Sequence, residues 1–290
     1  MSLRPPPQPI PILRSIEPIA LDTEAWLVDI WGVMHNGVRP YPDAVDACRM
    51  FRSQGGLVLL LSNSPRRAAG VAAQLDQIGV AREAYDGIVS SGDATRVLIS
   101  KLGGAHVFHL GPERDRPIFE GLPVTMTAAA NAEAIVCTGL FDDATESPED
   151  YAGQLAGFAA RGIPMICANP DLMVERDGRI IWCAGGLAQA YEHIGGRVSY
   201  AGKPHTPIYD MAFAALAEMK GCSVARSRTL AIGDGIRTDI AGAVSNGLKA
   251  VYIASAVHLA SGEALTTGAL QDLFPTHHGR PVAAQAGLAW

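Results

Sequence analysis

The chain has 290 residues, 48% of them hydrophobic and 18% charged, a globular composition with room for one large domain or two ordinary ones. A net charge of −6 without any block of like charge offers no footprint for nucleic acid, and no apolar run approaches the length of a membrane span. Five scattered cysteines without a CxxC pair exclude a zinc or disulfide framework, and Arg4-Pro5-Pro6-Pro7 lacks the apolar core of a signal peptide, so a reducing cytoplasm is the expected location.

Residues 1–20 are proline-rich and are expected to form an arm on the surface. Ala25-Trp26-Leu27-Val28 predicts a buried strand over 25–30, ending at Asp29 and a glycine-punctuated loop that runs to Gly37. Pro42 suits the first turn of a helix over 42–54, which Gly55-Gly56 ends. Leu57 to Leu61 is a continuous apolar run, the signature of a parallel strand covered on both faces. Pro65 opens a second helix ending near Gly79, so the first 80 residues read as a parallel β-loop-α-β-α unit.

A third strand is predicted at Ile88 to Ser90 and a helix at Gly92 to Leu102, followed by short strands at His106 to Leu110 and Ala134 to Cys137. Ser147-Pro148-Glu149-Asp150 starts a helix that runs to about Arg161, with serine at the cap and an acid at the third position. A strand at Ile163 to Ala168 leads into the turn Asn169-Pro170-Asp171; Arg179 to Trp182 and a helix from Gly185 to Ile194 follow. The larger fold resumes near Ser199, with a helix from Thr206 to Lys220, a strand at Thr229 to Ile232, a helix capped by Thr238 and a last strand at Lys249 to Ile253. The expectation is an α/β protein whose discontinuous core, a Rossmann-like parallel sheet (1–91 and 198–290), carries an inserted smaller α/β domain (92–197).

Asp29 and Asp234 each follow an apolar strand, and strand ends of a parallel sheet share the edge where ligands bind. Two carboxylates there repel unless a cation lies between them, and oxygen-only ligands suit Mg²⁺ better than zinc. Singly, each is an ordinary turn acid. Ser62-Asn63 also follows a strand and offers a hydroxyl and loop N–H groups to a phosphoryl oxygen, although Asn63-Ser64-Pro65 is equally a plain helix entry. Lys203, held between Gly202 and Pro204, could neutralise phosphate and carboxylates, where a lone loop lysine is usually just solvated. Asp239, at the first turn of a helix, is explained by the helix dipole or by support of the metal or of Lys203.

In order, these residues resemble the haloacid dehalogenase (HAD) superfamily of aspartyl-phosphate hydrolases. Asp29 matches its first motif, Ser62-Asn63 its second, Lys203 its third, and Gly233-Asp234 with Asp239 its fourth. Ala168-Asn169-Pro170-Asp171 and Gly202-Lys203-Pro204-His205 are similar to the class IIA branch, which includes nitrophenyl-phosphatases, phosphoglycolate phosphatases and nucleotide phosphatases. The resemblance covers roughly residues 20–255. It implies the HAD core with a type-2 cap, Asp29 as nucleophile, and Mg²⁺ held by Asp29, Asp234 and the backbone carbonyl of Trp31. It further implies phosphoryl binding by Ser62, Asn63 and Lys203, a small phosphorylated metabolite as substrate, Asn169 and Asp171 near the site's mouth, and a homodimer formed through caps.

The chain departs from the pattern at one position. Phosphatases of this family carry a second aspartate two residues after the nucleophile, as proton donor and then base; here it is Trp31. An indole N–H donates a hydrogen bond but exchanges no proton near neutral pH, and general acid–base help is worth roughly 10²–10⁴-fold in rate. The readings left open are a slow phosphatase, with His35 as the nearest substitute acid–base, another phosphoryl or phosphonate chemistry, and a non-catalytic binder of a phosphometabolite. A purely structural role is the remaining alternative. His35 also reads as a loop histidine bonded to backbone.

Overall fold

The computed structural model describes residues 8–176, 179–254, 264–276 and 279–290. In chain order its strands and α-helices are α1 (Glu17–Ala20), β1 (Ala25–Val28), α2 (Pro42–Ser53), β2 (Leu57–Ser62), α3 (Ala68–Ile78), β3 (Gly87–Ser90), α4 (Ser91–Ser100), β4 (His106–Leu110), β5 (Thr125–Met126) and β6 (Ala134–Cys137). There follow α5 (Ala152–Ala160), β7 (Met165–Cys167), β8 (Met173–Arg176), β9 (Arg179–Trp182), α6 (Ala184–His193), β10 (Val198–Tyr200), α7 (Thr206–Lys220), β11 (Thr229–Gly233), α8 (Ala241–Ser245), β12 (Lys249–Ile253), α9 (Thr267–Leu273) and β13 (Ala283–Gln285). Two compact units result: Met1–Leu60 with Ile78–Gly87 and Phe213–Trp290, and Leu61–Gln77 with Ile88–Ala212. Among the described residues no helix is long and apolar enough to cross a membrane.

In the first unit the strands lie in the order β13-β12-β11-β1-β2, all parallel. With β3 beyond β2 the sheet has six strands, a 3-2-1-4-5-6 winding when numbered along the chain, and the order reverses between β1 and β11. Every residue of β1 is buried, as its unbroken apolar run requires in a sheet covered on both faces. Trp26 stacks on Phe51 of α2 at 4.1 Å and 4°, and its indole N–H donates to Thr23 Oγ1 at 3.1 Å. Helix α2 presents Ala44, Val45, Ala47, Cys48 and Phe51 to this core, with Pro42 in its first turn.

The sequence gives no hint of β13, which completes the sheet by pairing with β12 and in turn receives the N-terminal arm. Ile12 bridges Ala284, the Leu13 N–H donates to Ala284 O at 2.8 Å, and Ile10 and Ile16 are buried. Residues 10–16 are thus stitched into the fold and do not rest on its surface, a difference that arises because the arm's partner lies at the far end of the chain.

The second unit has its own parallel sheet, β10-β7-β6-β4-β5, wound 2-1-3-4-5. One face packs Leu110, Ile135, Leu155, Phe158, Leu187 and Tyr191; the other packs Ile99, Val107, Ile118, Val136 and Ile166. An antiparallel hairpin, β8–β9, follows β7. The fold is α/β with a parallel-sheet core and a second α/β unit, the class the sequence leads one to expect.

Two helix starts differ from expectation. The helix after β2 begins at Ala68 and not at Pro65, because the Ala68 N–H finds its cap in the Asp93 carboxylate, 25 residues on, at 2.8 Å. Thr238 caps nothing: the chain already coils as a π-turn over Ile236–Ile240 before α8. At Ser147 the capping acid is as expected, both the N–H and the hydroxyl of Ser147 donating to Asp150 Oδ2 at 2.8 and 3.0 Å. A 3₁₀ turn over Pro148–Tyr151 precedes α5.

Candidate active site

Asp29 and Asp234 stand at the carboxyl ends of β1 and β11, the two strands flanking the first unit's reversal point. Open parallel sheets bind ligands in that crevice because the connections leave opposite faces there. Register makes the pair: Val28 lies opposite Ile232, and the Asp29 N–H donates to Ile232 O at 2.8 Å. Asp239 joins them, so that one oxygen from each of the three carboxylates lies within 4.8 Å of the others. Asp29 and Asp239 are buried and Asp234 is partly exposed.

Such a grouping has a cost in the absence of a cation, since like charges this close repel in a medium of low dielectric. Three hard oxygen donors suit a divalent hard ion, so the residues present fit Mg²⁺. Asp239 was expected only to support the pair; its Oδ2 accepts the Gly235 N–H at 3.0 Å, which turns the acid back over the loop that carries Asp234.

The loop after β1 is built around two glycines. Gly32 has φ +82°, and a Cβ there would lie 2.2 Å from Asp234 Oδ2. Gly37 has φ +89°, and a Cβ there would lie 2.7 Å from ring carbons of Trp31. Only glycine combines that backbone with that closeness. The residue-type signal for the first was present in Asp29-Ile30-Trp31-Gly32, but its meaning, a carboxylate lying against bare backbone, depends on a residue two hundred positions away.

The Trp31 ring therefore lies over Gly37, and the edge of His35 meets it at 5.1 Å and 74°. His35 is buried; its Nδ1 accepts the Gly37 N–H at 2.8 Å, and burial lowers its pKa to about 4. It is a neutral, backbone-bonded loop histidine.

The other sequence-predicted residues come together in the second unit. The Asn63 amide is the hub: its Oδ1 accepts the Lys203 N–H at 2.7 Å, and its Nδ2 donates to Asp171 Oδ1 at 2.9 Å and to Lys203 O at 3.2 Å. Lys203 is 2% exposed, and its ammonium donates to Leu61 O at 2.9 Å. Gly202 is required at this crossing, since a Cβ would lie 2.5 Å from Asn63 Oδ1 and 2.6 Å from Ser91 Oγ. Ser62 Oγ accepts the Ser64 N–H at 3.1 Å, and Asn169 Oδ1 accepts the Asp171 N–H at 3.0 Å, an Asx turn. Ser62, Asn63, Lys203 and Asn169 are all buried. Sequence reasoning singled out Asn63, Asp171 and Lys203 separately and missed that they hold one another.

Comparison with known proteins gives a consistent assignment. The haloacid dehalogenase-like hydrolase family matches residues 26–124, and a second, HAD-hydrolase-like family matches residues 200–274. The crystal structure of a haloacid dehalogenase-like family hydrolase from Brucella suis 1330 is 42% identical, with a TM-score of 0.86 over 96% of this chain and 100% of that one. Mouse chronophin is 28% identical over 281 residues, covering 89% of this chain and 90% of its own. The 5′-nucleotidase YutF of Bacillus subtilis (strain 168) is 25% identical over 81% of this chain and 88% of its own.

Proposed function

The chain belongs to the haloacid dehalogenase-like hydrolase family, and from that membership we propose that it is a phosphoric monoester hydrolase acting on a small phosphorylated metabolite through an aspartyl-phosphate on Asp29. The observation that carries this reading is the convergence of Asp29, Asp234 and Asp239 at the reversal point of the core sheet. A relative named as a 5′-nucleotidase supports the reaction class.

In the proposed reaction a carboxylate oxygen of Asp29 attacks phosphorus. The Asp29 O–P bond forms, the ester P–O bond breaks, and the leaving oxygen departs as an alkoxide that takes its proton from solvent water, since position 31 offers no acid. Water then hydrolyses the acyl phosphate and regenerates Asp29. Ser62, the Asn63 backbone and Lys203 bind the phosphoryl oxygens; Asn63 fixes Lys203 for this role through the hydrogen bonds described above. Asp29, Asp234 and the Trp31 carbonyl would hold Mg²⁺, with Asp239 beside them, and the ion would neutralise phosphoryl charge. Residues 92–197, as cap, would read the remainder of the substrate, with 1–91 and 198–290 as the core that carries Asp29.

Trp31 bears on the rate. The position that would carry the proton donor holds an indole, packed on Gly37 and His35. Loss of acid–base help predicts turnover lowered by ~10²–10⁴-fold for poor leaving groups and far less for nitrophenolate, which needs no proton. The same observation favours a second reading, a binder of a phosphometabolite that retains the phosphate and metal ligands without turnover.

One assay separates them. Wild type and Asp29→Asn are compared on a panel of phosphate esters with Mg²⁺, and Trp31→Asp is measured alongside. The phosphatase reading expects Mg²⁺-dependent hydrolysis that Asp29→Asn abolishes and Trp31→Asp raises. Turnover undiminished in Asp29→Asn would defeat it. Silence on every ester, together with thermal stabilisation by a phosphorylated compound, would establish the binder.

A further inference from the structure

We propose that His205 is a positioning residue for Lys203: lying flat on Tyr200, it closes the loop that carries the lysine and so fixes where the ammonium group meets a phosphoryl oxygen.

Lys203 stands in the middle of a short connection, residues 201–205, between the end of β10 at Tyr200 and the start of α7 at Thr206. A loop free to tilt would carry the ammonium group with it. Two contacts within the loop oppose that tilt. The His205 N–H donates to Gly202 O at 2.9 Å, a turn that wraps Lys203 and Pro204. The His205 imidazole then lies on the ring of Tyr200, with centroids 4.8 Å apart and planes 5° from parallel. The two residues that bracket the loop are thus fastened ring to ring, as a clasp at its base.

Tyr200 is itself tied down. Its hydroxyl donates to Glu192 Oε2 on α6 at 2.8 Å. Helix α6 in turn packs Ala184, Leu187, Ala188 and Tyr191 into the core of the second unit. His205 therefore couples the Lys203 loop to a rigid helix through one stacked ring and one hydrogen bond.

The rings suit this task better than they suit a purely structural one. Both residues are partly exposed, so neither fills the core. Partial burial lowers the His205 pKa, so at neutral pH the imidazole is uncharged and the contact is a stack of two neutral rings. The stack also complements the role of Asn63. Asn63 pins the Lys203 peptide at its N–H and its carbonyl, and the ammonium donates to Leu61 O. Those bonds locate the lysine from the side of β2; the clasp sets the loop from the side of β10. A misplacement of about 1 Å in such a group can cost on the order of 10²-fold in rate. The inference rests on the reading of Lys203 as a phosphoryl ligand and extends it to the residue that aims it.

The test reads binding without turnover. The full chain is titrated calorimetrically with inorganic phosphate in the presence of Mg²⁺, as wild type, His205→Ala, His205→Phe, Tyr200→Leu, the double variant His205→Ala/Tyr200→Leu, and Lys203→Met. Far-UV circular dichroism and urea midpoints of the same samples establish that each is folded. His205→Ala and Tyr200→Leu are each expected to weaken phosphate binding about tenfold, the loss of one aromatic contact, and the double variant to be no weaker than either. His205→Phe, which keeps a flat ring, should stay within about twofold of wild type. The proposal is overturned if His205→Ala binds phosphate as wild type does, if His205→Phe is as weak as His205→Ala, or if the two single losses add in the double variant; in each case the phosphoryl-ligand reading of Lys203 stands. Lack of phosphate binding by wild type, or unchanged affinity in Lys203→Met, sinks that reading and this proposal with it.

Discussion

Asp234 lies against the backbone of Gly32 so closely that a methyl group on the glycine would sit 2.2 Å from the Asp234 carboxylate. Alanine at 32 faces two penalties, the overlap and a φ of +82° that L-residues rarely adopt. Gly32→Ala is expected to lower stability by about 1–3 kcal/mol and to displace Asp234, weakening Mg²⁺ affinity by more than the stability loss alone explains. Urea midpoints and calorimetric titration with Mg²⁺ check both; unchanged Mg²⁺ affinity would mean that the carboxylate moves without consequence.

Asn63 holds the Lys203 segment at both its N–H and its carbonyl. Asn63→Ala leaves a buried N–H without its acceptor and is expected to cost about 1–3 kcal/mol. Because Lys203 would lose its fixed position, turnover should fall while the fold, read by far-UV circular dichroism, persists. A variant with wild-type activity would show that Lys203 is placed by its other contacts.

His109 supplies a pH dependence. Its pKa falls from 6.5 to about 4 on folding because burial disfavours the charged ring. The unfolded chain therefore binds the proton first, and stability drops as pH falls from about 6.5 toward 4, by on the order of 2 kcal/mol. Asp115, pushed up by burial, takes its proton first in the folded state and opposes the loss in the acid range. His109→Gln should make the wild-type slope of urea midpoint against pH between 6.5 and 4 shallower, leaving the share of His35, whose pKa burial also lowers to about 4. An equally steep slope in the variant would assign the acid sensitivity elsewhere.

Ile16 is completely buried where the arm meets the C-terminal segment, its N–H donating to Ala289 O at 2.9 Å. Ile16→Ala should cost about 2–4 kcal/mol through the lost burial and the cavity left behind. A change within a few tenths of a kcal/mol in the urea midpoint would mark the arm as dispensable.

What the sequence discloses follows the range of the forces involved. Strands β1, β2 and β11 are legible because burial on both faces imposes continuous apolar runs, and Asp29 and Asp234 are legible because acids interrupt those runs at their ends. Local capping reads equally well: Ser147 and Asp150 are three residues apart. Ala68 takes its cap from Asp93, Gly32 is constrained by Asp234, and Asn63 is bonded to Lys203 across 140 residues. None of these leaves a periodic trace. The same is true of His109 and Thr138, each an ordinary strand or loop residue until β4 and β6 are set side by side.

The pairing of Ile12 with Ala284 also bears on how the molecule is made. Residues 10–16 leave the ribosome before residues 283–285, the strand that receives them, have been made. Until then β12 lacks its outer neighbour and Ile10 and Ile16 lack their partners, whereas the strands of the cap, residues 106–200, have all been synthesised. The expected order on the translating ribosome is cap first and core last, with the exposed edge of β12 as the surface most in need of a chaperone while the chain is unfinished.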